Sequence, residues 1–363
     1  MKTKKEKSAA RPGKKAKSSR SFGSIIKKVL KTAGLIVLWV LIFALILFGY
    51  FNLPVSNHNQ NVQLGVTFSN RYAGDIGLDW KKTYIAMLDD LKVRKIRVPV
   101  YWDLVEPKEG QYDFSAIDWQ LDQARQRNAE IILSVGQKVP RWPECAIPDW
   151  AKTSDQKRKE SLLQFIDVVI NRYKSGHPEI KYWQIENEPF LKFGICPTPD
   201  PSLLDSELAL ARKLDPTRQI LVSDSGEIDQ WFNAYPRADI FGTTLYRTIW
   251  KNGIGYFQYP LGPRFYQFKY WINSLLFGKK PAYVIELQAE PWINGYTTNQ
   301  PLSEQFKSMN VVQLKANVDY AEKVGFPGIY LWGVEWWYWL KYNKNHPELW
   351  DAAKTMFQNQ SQL

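Results

Sequence analysis

Histidine and cysteine are scarce in this sequence of 363 residues, which contains three of the first and two of the second. The histidines are His58, His177 and His346, far apart along the chain. A histidine-rich metal site or a catalytic triad built on histidine is therefore not expected. Carboxylates remain as the reactive groups, and we expect no metal and no cofactor.

Acidic residues are nearly absent from the first part of the chain. Met1–Lys31 contains 12 Lys and Arg and one acidic residue, Glu6, which gives a net charge of +11. The whole chain carries +12, so the difference, 12 − 11, leaves about +1 for all other residues. The basic character belongs to a tail and not to a groove, and a nucleic-acid partner is not expected.

No charged residue interrupts "AGLIVLWVLIFALILFGYF", Ala33–Phe51. As a helix it spans roughly 28 Å, close to the thickness of a bilayer's hydrocarbon core. A signal peptide usually has a shorter basic region and an Ala-x-Ala site, and a core helix usually has a polar face. We therefore predict a basic cytoplasmic tail (1–31), a single transmembrane anchor (32–51, with 33–51 in the membrane), a linker (52–60) and one extracytoplasmic domain (61–363).

Short apolar runs alternate with longer amphipathic ones beyond the linker, which predicts parallel βαβ units. A (β/α)8 TIM barrel fits their number and the chain length, and a doubly wound open sheet is the alternative. No Gly-x-Gly-x-x-Gly motif follows the first run and no Walker motif occurs, which disfavours a nucleotide-binding sheet. The eight predicted strands are "VQLGVTF", "KIRVPVY", "EIILSVG", "KYWQIE", "QILVSD", "DIFGTTL", "AYVIE" and "GIYLWG".

Residues capable of chemistry or of binding follow the ends of these predicted strands. In a barrel of this kind the active site lies at the carboxyl ends of the strands. The candidates are Trp102 after strand 2, Gln137 after strand 3, Asn187 and Glu188 after strand 4, Tyr246 after strand 6, Glu286 at the end of strand 7 and Trp332 at the end of strand 8.

The stretch "WQIENEPF" contains two glutamates two residues apart. Alternation along a strand predicts that Glu186 and Glu188 point to the same side. Pro189 ends the ladder, which places Glu188 at the barrel mouth and Glu186 one layer deeper. A buried carboxylate needs a cation or donors, and Arg97 on strand 2 is the partner we expect for Glu186.

A second carboxylate, Glu286, closes the apolar run of "PAYVIELQAEPW". It is favoured over Glu290, which we expect in the loop as a surface group or a loop-bracing group. Two carboxylates facing each other across a barrel mouth are the requirement of glycoside hydrolysis. Aromatic rings stack on sugar faces, and the sequence offers an aromatic rim. Its candidates are Trp102, Trp142, Trp292, Trp332, Trp336 and Trp337, each of which is open to the alternative of core packing.

The sequence resembles the clan A retaining β-glycosidases on (β/α)8 barrels, which include families 5, 39 and 42. The resemblance rests on "WQIENEP", "AYVIE", "IYLWG", "IRVPVYWDLVEPKEGQYDFSAIDWQL" and "SVGQKVPRWP". It implies Glu188 as general acid/base and Glu286 as nucleophile. The remaining roles it implies are Asn187 on the sugar 2-hydroxyl, Arg97 and Tyr246 beside the nucleophile, and Trp332 beneath the sugar.

The sequence also departs from the clan pattern. Gln137 and Leu245 occupy positions where several members have histidine. In the implied fold, Cys145 and Cys196 lie in neighbouring loops, where a disulfide or two buried thiols are both open.

Three functions fit these residues. The first is retaining hydrolysis of a β-linked oligo- or polysaccharide. The second is a transglycosylase that remodels exported polysaccharide with the same residues. The third is a non-catalytic glycan-binding surface protein, which a Glu286→Gln variant would distinguish from an enzyme.

Overall fold

The computed structural model describes residues 22–56 and 62–360 together with Gly13. The chain divides into two units, Met1–Tyr50 and Phe51–Leu363. Helix α1 (Phe22–Phe51) contains a segment, Ile25–Phe51, that is long and apolar enough to cross a membrane. Most of the predicted basic tail, and the predicted linker beyond residue 56, lie outside the described residues.

Within the described residues ten strands follow, and eight of them close into a parallel barrel in the order β1-β10-β9-β6-β5-β4-β3-β2. This confirms the predicted (β/α)8 fold and excludes the open sheet. The strands are β1 (Gln63–Thr67), β2 (Lys95–Pro99), β3 (Glu130–Val135), β4 (Ile180–Ile185), β5 (Gln219–Asp224), β6 (Ile240–Leu245), β7 (Thr248–Lys251), β8 (Gly255–Gln258), β9 (Ala282–Gln288) and β10 (Gly328–Trp332).

Helices cover the outside of the barrel. They are α2 (Asn70–Asp75), α3 (Trp80–Asp89), α4 (Trp102–Val105), α5 (Ser115–Gln126), α6 (Asp155–Tyr173), α7 (Pro201–Leu214), α8 (Arg264–Phe277), α9 (Leu302–Ser308), α10 (Val311–Val324), α11 (Val334–Lys344) and α12 (Glu348–Gln360). Short 3-10 turns occur at Asp149–Thr153, Tyr235–Arg237 and Thr297–Asn299.

The local sequence explains how these helices form, and α6 is an example. Ser154 caps it by accepting a hydrogen bond from the Lys157 amide at 3.1 Å,. Buried residues recur every three or four positions, as at Leu162, Phe165 and Val169, and this stripe packs on the barrel,. Each such side chain contributes about 1.5–3 kcal/mol when fully buried.

The lower part of the barrel interior is filled by side chains. Ile132, Leu221, Ile240, Ile285 and Tyr330 form this layer, and all are buried. Because the interior is packed here, a ligand can enter only from the other end, where the strands terminate.

One part of the chain differs from the sequence prediction. The hairpin β7–β8 was not predicted and extends the connection between β6 and α8. Between β5 and β6, where the sequence near "EIDQWFNAY" indicates only a short and weak crossover, the described chain has the 3-10 turn Tyr235–Arg237. Trp231 and Tyr235 cover the sheet there, with their rings 4.8 and 5.2 Å from Phe241.

Candidate active site

Glu286 on β9 is held by two side chains from other strands. The Arg97 guanidinium on β2 donates from Nη1 to Glu286 Oε1 at 2.6 Å, and the Tyr246 hydroxyl after β6 donates to Oε2 at 3.0 Å. Glu286 is buried, and its ion pair with Arg97 is shielded from water. Both oxygens are thereby fixed, so the carboxylate has a set orientation at the carboxyl end of the barrel.

Arg97 is itself completely buried and makes three hydrogen bonds. Besides Glu286 it donates from Nε to Gln184 Oε1 at 2.7 Å and from Nη2 to Asn187 Oδ1 at 2.6 Å. Ser223 also donates to the Asn187 oxygen, at 3.1 Å. Because the amide oxygen is held in this way, the Asn187 amide nitrogen is left to donate towards the site. Gln184 and Ser223 were not predicted from the sequence.

The chain after β4 leaves strand geometry, which corrects one prediction. Glu186 and Glu188 have positive φ values of 58° and 43°, so strand alternation does not apply to them,. Glu186 accepts hydrogen bonds from the amides of Gln137 and Lys138, both at 2.7 Å, and not from Arg97. The partner of Glu186 is therefore the backbone after β3, and the expected pairing with Arg97 is wrong.

Glu188, in the loop after β4, is buried and lies within the electrostatic influence of Glu286. Burial, and then the negative charge of Glu286, raise the pKa of Glu188 well above its usual range,. One oxygen, Oε1, accepts a hydrogen bond from Thr244 Oγ1 at 3.2 Å. Burial and the Glu286 charge also raise the pKa of Tyr246 far above neutrality, so its hydroxyl remains a donor. The site thus combines a Glu188 whose pKa is raised with a Glu286 that Arg97 and Tyr246 bond.

A third carboxylate, Glu144, belongs to this site and was not predicted. It has a positive φ of 71° in the loop after β3, and it is buried. Burial and the charge of Glu286 raise its pKa to about 7, while a hydrogen bond from Asn187 acts in the opposite direction. Its Oε2 has no hydrogen-bond partner among the described residues.

The loops that carry these glutamates are joined covalently. Cys145 and Cys196, which the sequence left open, form a disulfide between residues 51 apart. The Lys138 ammonium adds hydrogen bonds to the carbonyls of Glu188 at 2.9 Å and Leu191 at 2.7 Å. Together they hold the loop after β4 against the loop after β3.

Aromatic rings extend from the carboxylates to the surface. Trp292 meets Tyr246 edge-on at 5.1 Å, Phe193 lies 5.9 Å from Trp292, and Trp142 lies 6.3 Å from Phe193. Phe193 and Trp142 are exposed. These four rings form the aromatic line of the site, in which the expected Trp292 and Trp142 take part and Phe193 was not predicted.

Trp332 ends β10, and its ring is fixed by contacts with Glu290 and Arg141. Its indole nitrogen donates to Glu290 Oε1 at 2.8 Å, and the Arg141 guanidinium lies 4.1 Å from the centre of the ring. Arg141 in turn pairs with Glu290 and, at 2.9 Å, with Glu335. Glu290 therefore braces this wall of the site as expected, while Arg141 and Glu335 were not predicted.

Two expected substrate-binding residues lie elsewhere. Trp102 begins α4 and is completely buried, stacked on Phe165 at 5.5 Å with its nitrogen bonded to Glu106 at 2.8 Å. The prediction for Trp102 is wrong because the chain turns into a helix directly after β2 and directs this ring into the packing against α6. The Gln137 side chain accepts a hydrogen bond from Arg158, outside the carboxylate cluster.

The remaining rim candidates, Trp336 and Trp337, are also completely buried, which is the alternative that the sequence left open. For metal ions, the residues described by the structure contain no group of three or more His, Cys, Asp and Glu side chains arranged as ligands.

Comparisons with known proteins agree with this architecture. A family model described as β-galactosidase, glycoside hydrolase family 42, matches residues 79–199. The β-galactosidase LacZ of Lactobacillus acidophilus is 25% identical over 142 residues, which cover 32% of this chain and 21% of that protein. The chain thus spans about a fifth of the length of this curated relative.

Solved structures show the same fold. A β-galactosidase from Halorubrum lacusprofundi superposes with a TM-score of 0.52 at 15% identity, covering 74% of this chain and 52% of the other. Xylanase 10B from Thermotoga maritima gives 0.53 at 14% identity, covering 82% and 97%. The resemblance to clan A glycoside hydrolases is thereby confirmed, and at these identities the structural likeness shows the barrel fold.

Proposed function

We propose that this chain hydrolyses β-glycosidic bonds of an oligo- or polysaccharide with retention of configuration, with Glu286 as nucleophile and Glu188 as general acid/base. The observation that carries the proposal is that the two carboxylates lie in different environments. Arg97 and Tyr246 bond Glu286, while burial and the Glu286 charge raise the pKa of Glu188. One carboxylate is therefore suited to attack and the other to donate a proton.

In the first step a Glu286 oxygen attacks the anomeric carbon while Glu188 transfers its proton to the leaving oxygen. The glycosidic bond breaks, and a glycosyl ester of Glu286 forms. Esterification removes the Glu286 charge, so the pKa of Glu188 falls. Glu188 then accepts a proton from water as that water attacks the ester, which restores the carboxylic acid of Glu188 and the carboxylate of Glu286.

The neighbouring side chains supply binding. The Asn187 amide nitrogen is directed into the site because Arg97 and Ser223 hold its oxygen, and it suits a sugar hydroxyl next to the anomeric carbon. Trp332 would lie beneath the reacting sugar. The aromatic line from Tyr246 to Trp142 offers stacking positions for further sugars, which favours an extended glycan over a small glycoside.

The anchor completes the proposal. The apolar helix Ile25–Phe51 would hold the enzyme in a membrane as a single pass, with the Lys- and Arg-rich tail on the cytoplasmic side,. The barrel would then lie outside the cytoplasm, where the Cys145–Cys196 disulfide is stable,. Its substrate would be a glycan at or near the cell surface.

The test is sugar release by the full chain in detergent from glucan, mannan, xylan and galactan. Glu286→Gln is expected to abolish release while binding to the same glycan persists. The matched control is Glu130→Gln, because Glu130 lies at the start of β3, at the opposite end of the barrel, paired with Lys95. Binding without release by the unsubstituted chain on every glycan would contradict an enzymatic role.

The two glutamates are distinguished by chemical rescue with azide on an aryl glycoside. In Glu188→Ala, azide attacks the glycosyl ester without a base, so turnover should recover and give a β-glycosyl azide. In Glu286→Ala, azide replaces the nucleophile itself, so the product should be the α-azide. The reverse pattern would exchange the two roles.

A further inference from the structure

Helix α8 packs Tyr266 and other aromatic rings on the barrel, yet it also buries two polar residues and exposes large apolar ones. Lys269 and Asn273 are buried against the barrel. Trp271, Leu275 and Leu276 point outward and are 58%, 70% and 58% exposed. A surface helix normally buries such residues, so this outward face requires another explanation.

The register of α8 is fixed by hydrogen bonds on its inner side. The Lys269 ammonium donates to the carbonyls of Gly226, at 2.7 Å, and Asp229. The Asn273 amide donates to the Gln230 carbonyl at 3.0 Å. Rotating α8 to bury its apolar side would break these bonds in a buried environment, which costs several kcal/mol. The outward face is therefore a permanent feature of the fold.

Neighbouring aromatic rings enlarge this face. Phe268 stacks on Trp271 at 5.9 Å, and Phe277 lies 6.4 Å from the exposed Phe232. We name the α8 surface by its members, Phe232, Phe268, Trp271, Leu275, Leu276 and Phe277.

The polypeptide reaches the barrel at the same helix. Phe51, the last residue of the apolar segment Ile25–Phe51, lies 5.4 Å from the rings of both Phe265 and Phe268. The carbonyls of Leu53 and Pro54 accept hydrogen bonds from Arg264 at 3.3 and 3.2 Å. A chain anchored through this segment would hold α8 close to the point at which it leaves the membrane.

The charge of this region fits a bilayer with anionic lipids. Residues 240–285 contain no Asp or Glu and six Lys and Arg, of which five remain when the buried Lys269 is set aside, although the chain beyond the basic tail is nearly neutral. Lys251 and Lys279 are exposed. Each basic residue near an anionic membrane surface contributes about 1 kcal/mol of attraction.

We propose that the α8 surface docks onto the membrane interface, with Trp271, Leu275 and Leu276 inserted among the lipid headgroups and upper acyl chains. Tryptophan and leucine beside lysine are the side chains that such an interface favours. Docking rests on the anchor of the proposed function and adds a second attachment. It would fix the orientation of the barrel on the membrane through two attachments in place of one.

The test uses the full chain in vesicles of phosphatidylcholine and phosphatidylglycerol, with bromine on the acyl chains as a quencher of tryptophan fluorescence. The emission of Trp271 is obtained by subtracting the fluorescence of the Trp271→Phe variant from that of the unsubstituted chain. We expect roughly half or more of this difference to be lost with brominated lipid. The matched control is Trp142→Phe, because Trp142 is exposed to a similar extent, 51%, outside the α8 surface. Its difference should not be quenched.

A second variant tests whether insertion of Leu275 and Leu276 causes the quenching. Leu275→Asn with Leu276→Asn should restore the Trp271 emission, while flotation with vesicles remains and circular dichroism shows a folded barrel. Unquenched Trp271 in chains that float would refute docking and leave the anchor intact. If quenching occurs only when a lipid nanodisc contains two copies of the chain, the α8 surface binds a second copy, and docking onto the membrane is refuted. Failure to float would refute the anchor and docking together, whereas sugar release tests the hydrolase separately.

Discussion

The hydroxyl of Tyr246 is expected to contribute to the rate of glycosyl transfer and not to substrate binding. It donates to Glu286 Oε2 at 3.0 Å, and the edge-on contact of its ring with Trp292 at 5.1 Å does not involve the hydroxyl. Tyr246→Phe therefore removes one hydrogen bond and keeps the aromatic line.

A hydrogen bond to a charged group contributes about 1.5–3 kcal/mol. If the bond orients and stabilises the nucleophile mainly on the way to the transition state, its loss should lower kcat by about 10- to 150-fold. KM should change little. The measurement is the pre-steady-state rate of aryl release from an activated aryl glycoside, which reports the glycosylation step directly.

Tyr182→Phe is the matched control. The hydroxyl of Tyr182 lies 3.4 Å from that of Tyr283, and both residues lie near the starts of their strands, at the opposite end of the barrel. The Tyr182→Phe variant loses a tyrosine hydroxyl that contacts neither Glu188 nor Glu286. An unchanged rate in Tyr246→Phe, or an equal loss in both variants, would refute the assigned role. A raised KM at constant kcat would instead mean that the hydroxyl contacts the sugar.

Two further predictions concern the loops after β3 and β4. Replacing Cys145 and Cys196 by serine should lower the free energy of unfolding by about 4 kcal/mol in the chain-entropy model, since their bond closes a loop of 51 residues,. Urea denaturation measures this, and the unsubstituted chain with reductant should match the variant. Glu144→Gln should move the alkaline limb of kcat/KM to lower pH, because the Glu144 charge raises the pKa of Glu188 and its removal lets the acid lose its proton earlier,. An alkaline limb at unchanged pH would mean that the Glu144 charge does not affect the pKa of Glu188.

The barrel was predictable from sequence because each of its strands is a short apolar run. The polar residues that interrupt or end these runs were conspicuous for the same reason. Arg97 stands within "KIRVPVY" and Glu286 at the end of "AYVIE", and both lie in the site. Strand period and strand end are local properties, so one sequence is sufficient to find them.

What the sequence did not reveal depends on loop conformation. Glu144, Glu186 and Glu188 all have positive φ, a conformation imposed by tertiary contacts such as the Lys138 bonds to the loop after β4. Strand alternation therefore gave the wrong partner for Glu186 and no signal for Glu144. Trp102 was assigned to the rim because it follows the end of strand 2. A side chain at such a position can point to the barrel mouth or to the surrounding helices, and the direction of this ring depends on its packing against α6.

The position of the cations, more than the number of carboxylates, separates the roles in this site. Glu144, Glu188 and Glu286 share one buried region that contains Arg97 and Lys138. Arg97 directs its guanidinium to Glu286, and Lys138 directs its ammonium to two backbone carbonyls, so neither cation bonds the Glu188 side chain. Burial then favours the neutral form of Glu188 while Glu286 has a counter-ion,. In the proposed mechanism, pairing of Arg97 with Glu188 would leave the proton needed by the leaving group on the wrong carboxylate. We therefore propose that the side chain at residue 97 decides which glutamate acts as the acid.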